Sequence, residues 1–223
     1  MKNNLNLLLK KEANNYFKRN IKKLSSQNLD NNFTLEGLKT SRINPKKILE
    51  IGCFNGYRLE QLRQHYSINN KEVDCFGIDL SKLAIKDGKK RFPEIKLFEL
   101  SSMNIINMKH QFDLIICDFL YLLDRELIFE QFDLIYKSLN KDGYLLISDF
   151  DPMFPHFNIN NNKKNFYSFK VDYSSFLISS YLFKKIYFKN WTSVDKNSKH
   201  LDKNLSIAIY KKINFNKSFP KNI

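Results

Sequence analysis

The 223-residue chain is expected to fold as an α/β protein: a doubly wound sheet, mostly parallel, with an antiparallel C-terminal edge and helices ahead of it. Three observations lead there. Between residues 47 and 148, short apolar runs alternate with amphipathic stretches at the interval of strand–helix–strand units. The first run ends at Gly52, and Gly56 follows at the start of the next amphipathic stretch, as a strand turning at once into a helix requires. The second run ends at Asp79, 23 residues past Gly56, a position from which a carboxylate can meet a bound nucleoside.

The elements follow in order. Leu5, Leu8, Leu9, Tyr16, Phe17, Ile21 and Leu24 fall at mostly helical spacing and predict one or two amphipathic helices over residues 3–24. Residues 25–47 are polar, end near Asn44-Pro45 and read as a linker, so residues 1–45 form a helical cap and linker ahead of a domain at 46–223. Lys47-Ile48-Leu49-Glu50-Ile51 is the first strand, and Leu59, Leu62 and Tyr66 mark the first helix behind it. Residues 73–78 are strand, 81–91 helix, 95–100 strand and 112–117 the fourth strand. A helix over 125–139, a turn at Lys141-Asp142-Gly143 and a fifth strand at 144–148 complete the alternation. Residues 152–165 read as a loop with two prolines and 174–180 as a short helix, together an insertion over 152–180. Strands at 182–188 and 205–211 then pair as the antiparallel edge of a Rossmann-like sheet.

Composition narrows the class. With 43% hydrophobic and 27% charged residues the chain can bury a core, which excludes a disordered tail or a disulfide-stapled miniprotein. No apolar run approaches the roughly 18–20 residues of a membrane helix, and the N-terminus lacks a secretory cleavage pattern, so a cytoplasmic protein is expected. Cys53, Cys75 and Cys117 are isolated, which suggests neither disulfides nor a metal site. The net charge of +14 is uneven: residues 1–47 carry +8, 48–151 carry −4 and 152–223 carry +10. Basic flanks attract polyanions. Lys and Asn are abundant throughout, however, and no arginine-rich or aromatic-interleaved motif is present, so solvated surface charge is the simpler reading and a nucleic-acid partner is not favoured.

The glycine turn carries the chemistry. A lone turn of this kind is usually an ordinary tight loop, but here it precedes a helix start, which offers free N–H groups, and an acidic strand end that can accept ribose hydroxyls. A dinucleotide would need G-x-G-x-x-G. The chain reads Glu50-Ile51-Gly52-Cys53-Phe54-Asn55-Gly56, with Phe54 at the middle glycine and Arg58-Leu59 where the third would fall. A diphosphate is poorly served there and repelled by Glu50, whereas a ligand bearing an amino-acid ammonium and a sulfonium tolerates that carboxylate.

On four motifs in order the chain resembles the class I S-adenosylmethionine-dependent methyltransferases, especially the small-molecule branch described as methyltransferase type 11. These are Ile48-Leu49-Glu50-Ile51-Gly52-Cys53 with Gly56, Gly77-Ile78-Asp79-Leu80-Ser81, Phe112-Asp113-Leu114-Ile115-Ile116, and Leu139-Asn140-Lys141-Asp142-Gly143-Tyr144-Leu145-Leu146-Ile147. The likeness spans about residues 46–150. It implies S-adenosyl-L-methionine as cofactor, its methionine part held by Glu50, Gly52, Cys53 and Gly56 and its ribose by Asp79. Leu80 would pack on the adenine, Ser101 and Ser102 would meet its edge, and Cys117 would close the cofactor site where the substrate side begins. Two departures stand out: Phe54 replaces a small residue, and Leu100-Ser101 lacks the acidic residue that often takes the adenine amino group.

Methyl transfer asks the protein to position an acceptor and, for a hydroxyl, to supply a base. Asp118, Tyr121, Asp149, Asp151 and His156 lie where open α/β sheets put such groups, with Asp118, Asp149 and His156 the leading catalytic candidates. Each has a structural alternative: a strand-end cap for Asp118, a turn for Asp149, a surface loop for His156. Asp118-Phe119-Leu120-Tyr121 is not the Asn/Asp-Pro-Pro-Tyr/Phe of enzymes that methylate base amino groups, and no cysteine has the Pro-Cys setting of cytosine C5 enzymes. A small-molecule hydroxyl remains, with the basic flanks suiting an anionic one such as a sugar or nucleotide-linked sugar. The alternatives are an RNA methyltransferase and, from another class, a non-catalytic binding or regulatory protein that keeps the fold. Oligomeric state stays open.

Overall fold

The computed structural model describes residues 2–24, 33–67, 72–159, 167–193 and 200–214. Its centre is a seven-stranded sheet. Strands β1 (Lys47–Ile51), β2 (Asp74–Asp79), β3 (Lys96–Glu99), β4 (Phe112–Cys117) and β5 (Leu139–Phe150) run parallel. A hairpin β6 (His156–Ile159) with β7 (Tyr167–Lys170) stands apart from that sheet. Strands β8 (Phe183–Thr192) and β9 (Asn204–Lys212) complete it, β9 lying antiparallel between β5 and β8, in the order β3-β2-β1-β4-β5-β9-β8. This is the mostly parallel sheet with an antiparallel edge that the alternation predicts.

The parallel strands read as unbroken apolar runs because both of their faces are buried. Along β4, Leu114 and Ile116 belong to one core and Ile115 and Cys117 to the other. Helices α1 (Lys2–Leu24) and α2 (Phe33–Thr40) precede the sheet; α3 (Tyr57–Tyr66) and α4 (Lys82–Arg91) follow its first two strands. Leu59 and Leu62 of α3 and Ile85 of α4 fill one core, joined by Leu35 and Leu38 of α2. Phe132 and Ile135 of α5 (Ile128–Ser138) and Leu177 of α6 (Tyr173–Ser179) fill the other. No helix among the described residues is long and apolar enough to cross a membrane.

Three expectations are corrected. The stretch read as a polar linker contains α2, whose eight residues include a glycine and only two leucines, too few to show a helical period. Gly37 is required there, because a Cβ would lie 2.9 Å from the ring of Tyr187. The loop read over 152–165 contains β6: His156-Phe157-Asn158-Ile159 alternates at period two but is flanked by prolines and an asparagine run that mask it. The turn at residues 141–143 is a bulge within one strand, since Phe112 pairs with Leu139 while Leu114 pairs with Tyr144. Part of the expected linker and loop, residues 25–32 and 160–166, lies outside the described residues.

The glycine turn is held from below by α4. A Cβ on Gly88 would sit 2.2 Å from the Asn55 carbonyl oxygen and 2.5 Å from Leu97. Gly88→Ala is therefore expected to destabilise the chain by about 1–3 kcal/mol, since overpacking against backbone outweighs the ~1 kcal/mol helix-propensity gain. Thermal denaturation checks this, an unchanged midpoint being the contrary result.

Candidate functional site

Strands β1 and β4 are neighbours whose following helices depart in opposite directions along the sheet, so a crevice opens beyond their carboxyl ends. A cavity of about 870 Å³ occupies that crevice. Its floor is the glycine turn. Gly52 and Gly56 have φ of +77° and +79°, and a Cβ on Gly52 would lie 3.3 Å from Phe119, so the wall is open there only because glycine has no side chain. Phe54 adopts a left-handed φ of +56° itself, a conformation unusual for an aromatic residue.

What holds Phe54 comes from α1. Its ring lies 5.0 Å from Phe17 and 6.1 Å from Tyr16. Asn14 Oδ1 accepts hydrogen bonds from the Ser81 hydroxyl at 2.9 Å and the Leu83 N–H at 3.1 Å, and Lys10 pairs with Glu99 at 2.8 Å. The helix thus forms a roof, with Ala13, Tyr16 and Arg19 among its contributions to the cavity wall. Arg19 itself pairs with Glu12 at 2.7 Å.

Asp79 closes β2 with both oxygens on the turn: Oδ2 accepts from the Phe54 N–H at 2.9 Å and Oδ1 from the Ser81 N–H at 2.7 Å. Burial raises its pKa to about 6 against those hydrogen bonds. Each oxygen keeps lone-pair capacity for a diol beyond the turn. Beneath Gly52, Glu50 is 1% exposed and accepts from Arg58 Nε at 2.6 Å, while its Oε2 has no hydrogen-bond partner. Burial pushes Glu50 up to about 7, with Arg58 pulling the other way. Arg58 also donates to Asp118 Oδ2 at 2.6 Å, so one guanidinium ties the end of β1 to the end of β4. Burial raises Asp118 too, and Arg58 opposes it.

At the far end of the cavity lies Asp149, next to last in β5 and 8% exposed. Its Oδ1 accepts from the Phe150 N–H at 2.7 Å, and its Oδ2 has no hydrogen-bond partner. The backbone N–H of Tyr121 is near enough to lower the carboxyl's pKa without closing a bond on Oδ2. Burial dominates and raises the group to about 7, despite the Phe150 N–H and the Lys170 ammonium. Lys170, from β7, is 3% exposed, with Nζ 3.5 Å from the Phe150 ring centroid and 4.7 Å from that of Tyr121.

Of the sequence-derived candidates, Gly52, Asp79, Leu80, Ser101, Ser102, Asp118 and Asp149 line the cavity together. Glu50, Cys53, Gly56 and Cys117 lie in the layer beneath it: Cys53 packs toward Gly77 and Gly56 toward Leu97, and Cys117 is fully buried in the core. His156 is not on the wall. Its Nε2 is 2.9 Å from Asp202 Oδ1 and its Nδ1 3.1 Å from the Phe154 carbonyl, which anchors the hairpin to residues near β9. Arg58, Lys170 and Trp191 were missed. Trp191, the chain's only tryptophan, reaches the wall from β8 and rests 4.4 Å from Phe33 of the equally unforeseen α2. Nothing set it apart in sequence, since β8 also holds Phe183, Tyr187 and Phe188 and Trp191 lies beyond the strand expected over 182–188.

Comparison with known proteins fits this geometry. A family model described as a methyltransferase domain matches residues 44–205. No curated protein matches the chain. Among solved structures, the N-methyltransferase NodS from Bradyrhizobium japonicum WM9, in complex with S-adenosylhomocysteine, is similar at a TM-score of 0.62 and 18% identity, over 90% of this chain and 98% of that one. The 1,6-didemethyltoxoflavin-N1-methyltransferase from Burkholderia thailandensis, holding 1,6-didemethyltoxoflavin and S-adenosylhomocysteine, gives a TM-score of 0.67 at 10% identity, covering 95% and 90%. An S-adenosylmethionine-dependent methyltransferase from Clostridium acetobutylicum ATCC 824 gives 0.59 at 13%, covering 89% and 98%. At these identities the structural likeness speaks for the fold.

Proposed function

Because the chain belongs to the S-adenosylmethionine-dependent methyltransferase family, we propose that it methylates a small molecule, at a hydroxyl whose proton Asp149 accepts. The observation that carries this reading is the single cavity running from the Gly52 turn and Asp79 to Asp149, whose Oδ2 is buried without a hydrogen-bond partner. The residues present fit the cofactor. Gly52 leaves room where a Cβ would close the wall, and the orphaned Glu50 Oε2 lies beneath an end that would receive an ammonium. Asp79 would hold the ribose, with Leu80, Ser101 and Ser102 around the adenine.

When bound, the cofactor supplies an electrophilic methyl group on a sulfonium. The protein's own part is placement and proton transfer. Asp149 receives the acceptor proton on Oδ2, and a carboxyl poised near neutrality is matched to that task. The roof formed by α1 limits water over the turn. An RNA acceptor gains no support from the described residues of the wall, whose charged members are Glu12, Asp79, Asp118 and Asp149 against Arg19.

Calorimetry with S-adenosylhomocysteine, with NAD as a parallel ligand, tests the reading. Micromolar binding of the first and none of the second is expected. Failure of S-adenosylhomocysteine to bind would bring the non-catalytic alternative forward.

A further inference from the structure

The basic flanks of the sequence suit an anionic acceptor, yet the cavity does not. Among the described residues no lysine is on its wall, and the arginine there, Arg19, already pairs with Glu12. The guanidinium beneath the turn, Arg58, is committed to Glu50 and Asp118. A phosphate placed beyond Asp79 would therefore meet the carboxylates of Asp118 and Asp149 with no uncommitted cation among the lining residues. Lys170 is not among the lining residues; its ammonium lies over the Phe150 and Tyr121 rings and donates to Ser168 Oγ at 3.1 Å.

Apart from Ser148, Asn158 and Ser168, the remaining surface of that lobe is apolar and aromatic, contributed by Phe119, Tyr121, Phe150 and Trp191 with Leu123 and Leu205. Such walls favour a ligand that buries flat apolar area, because aromatic contacts add to what burial alone contributes. Among the described residues of that lobe, Asp149 Oδ2 is a buried polar atom with no hydrogen-bond partner. A buried acceptor of this kind is costly until a ligand donor completes it. The geometry points to an acceptor of a definite class: we infer that the acceptor is a flat, uncharged ring system bearing one hydroxyl or ring N–H, seated among these aromatic side chains with its donor on Asp149 Oδ2. The same features of the described residues speak against a nucleotide-linked or phosphorylated sugar. This inference rests on the methyltransferase reading and narrows it.

The proton balance is simple. The ring's O–H or N–H proton passes to Asp149 Oδ2, the electron pair freed on the heteroatom forms the bond to the methyl carbon, and the departing sulfur keeps the pair of the bond that breaks. Asp149 then returns its proton to solvent.

Binding alone tests the class, without turnover. Protein saturated with S-adenosylhomocysteine is titrated calorimetrically at pH 7.5 with 2-naphthol, 7-hydroxyquinoline and 6-hydroxyindole, and in parallel with UDP-glucose and glucose 1-phosphate. At least one flat probe is expected to bind tenfold or more tightly than either sugar phosphate, and Asp149→Ala to weaken that binding at least fivefold while S-adenosylhomocysteine affinity holds. Asp149→Asn serves as a second variant should the alanine chain not fold, and the wild-type ranking of the two ligand classes stands without either. Tighter binding of a sugar phosphate, no binding of any flat probe, or equal binding to the Asp149 variants overturns the inference. Loss of S-adenosylhomocysteine binding by the wild-type chain would instead overturn the methyltransferase reading beneath it.

Discussion

Turnover of an Asp149→Asn variant is expected to fall by about 10²- to 10⁴-fold, the range that a positioned general base contributes. Asparagine keeps the shape and cannot take the proton, so S-adenosylhomocysteine affinity should hold while kcat collapses. The parent's kcat should rise with pH through about 7, where Asp149 loses its proton, and this limb should vanish in the variant. Stability moves the other way. The carboxyl is raised from its ordinary 3.8, chiefly by burial, so the folded chain binds this proton more tightly than the unfolded chain. Its contribution is fully present below about pH 4 and is lost as pH climbs through about 7. At pH 8 the variant should therefore be more stable than the parent by about 1–3 kcal/mol, the advantage disappearing near pH 4. Parallel rate and denaturation profiles check both signs. A variant with unchanged kcat would remove Asp149 from the chemistry.

Asp79→Ala is expected to weaken S-adenosylhomocysteine binding at least tenfold, about 1.4 kcal/mol, and to destabilise the chain as well. Two N–H groups, those of Phe54 and Ser81, lose their acceptor, each at a cost of about 1–3 kcal/mol where water cannot replace it. Asp79→Asn separates the two effects, because the amide oxygen can keep one of these bonds and the ligand loses a charged acceptor. Calorimetry paired with denaturation reads both, and wild-type affinity in the alanine variant would move the ribose elsewhere.

The parts of the fold legible in the sequence are those whose periodicity is set locally. Strands such as Ile48–Ile51 and Leu114–Cys117 are buried on both faces and so read as apolar runs whatever surrounds them. Gly52 and Asp79 were legible for a related reason: a positive φ and an acidic strand end leave residue-type signatures at a fixed order along the chain. Helix α2 and strand β6 left little trace, since each is short and stabilised by partners far away, Tyr187 and Ile209 for Gly37 and the paired β7 for His156. The cavity wall shows the same division. Leu80, Ser101 and Ser102 lie next to the motifs that announce them, whereas Trp191 and the roof from α1 arrive by tertiary packing that no spacing encodes. Arg58 was visible only as a departure from a glycine pattern, and its tie between Glu50 and Asp118 required knowing that β1 and β4 are neighbours.

Among the described residues strand β8 ends the sheet with one side unpaired, and along it stand Ile186 and Phe188, 39% and 45% exposed. Left bare, such a margin is a template for another copy of itself. Lys184 and Lys185 stand exposed beside those side chains, and Lys189 pairs with Glu36 nearby. Lys184 and Lys185 then act as a colloidal guard, keeping molecules apart through mutual repulsion with no polyanion required. Repulsion of this sort reaches about 10 Å in 0.1 M salt and only about 3 Å in 1 M. The chain's solubility is thereby tied to ionic strength: dilute electrolyte keeps the margins apart, and concentrated salt strips away the guard while strengthening the attraction between exposed apolar side chains.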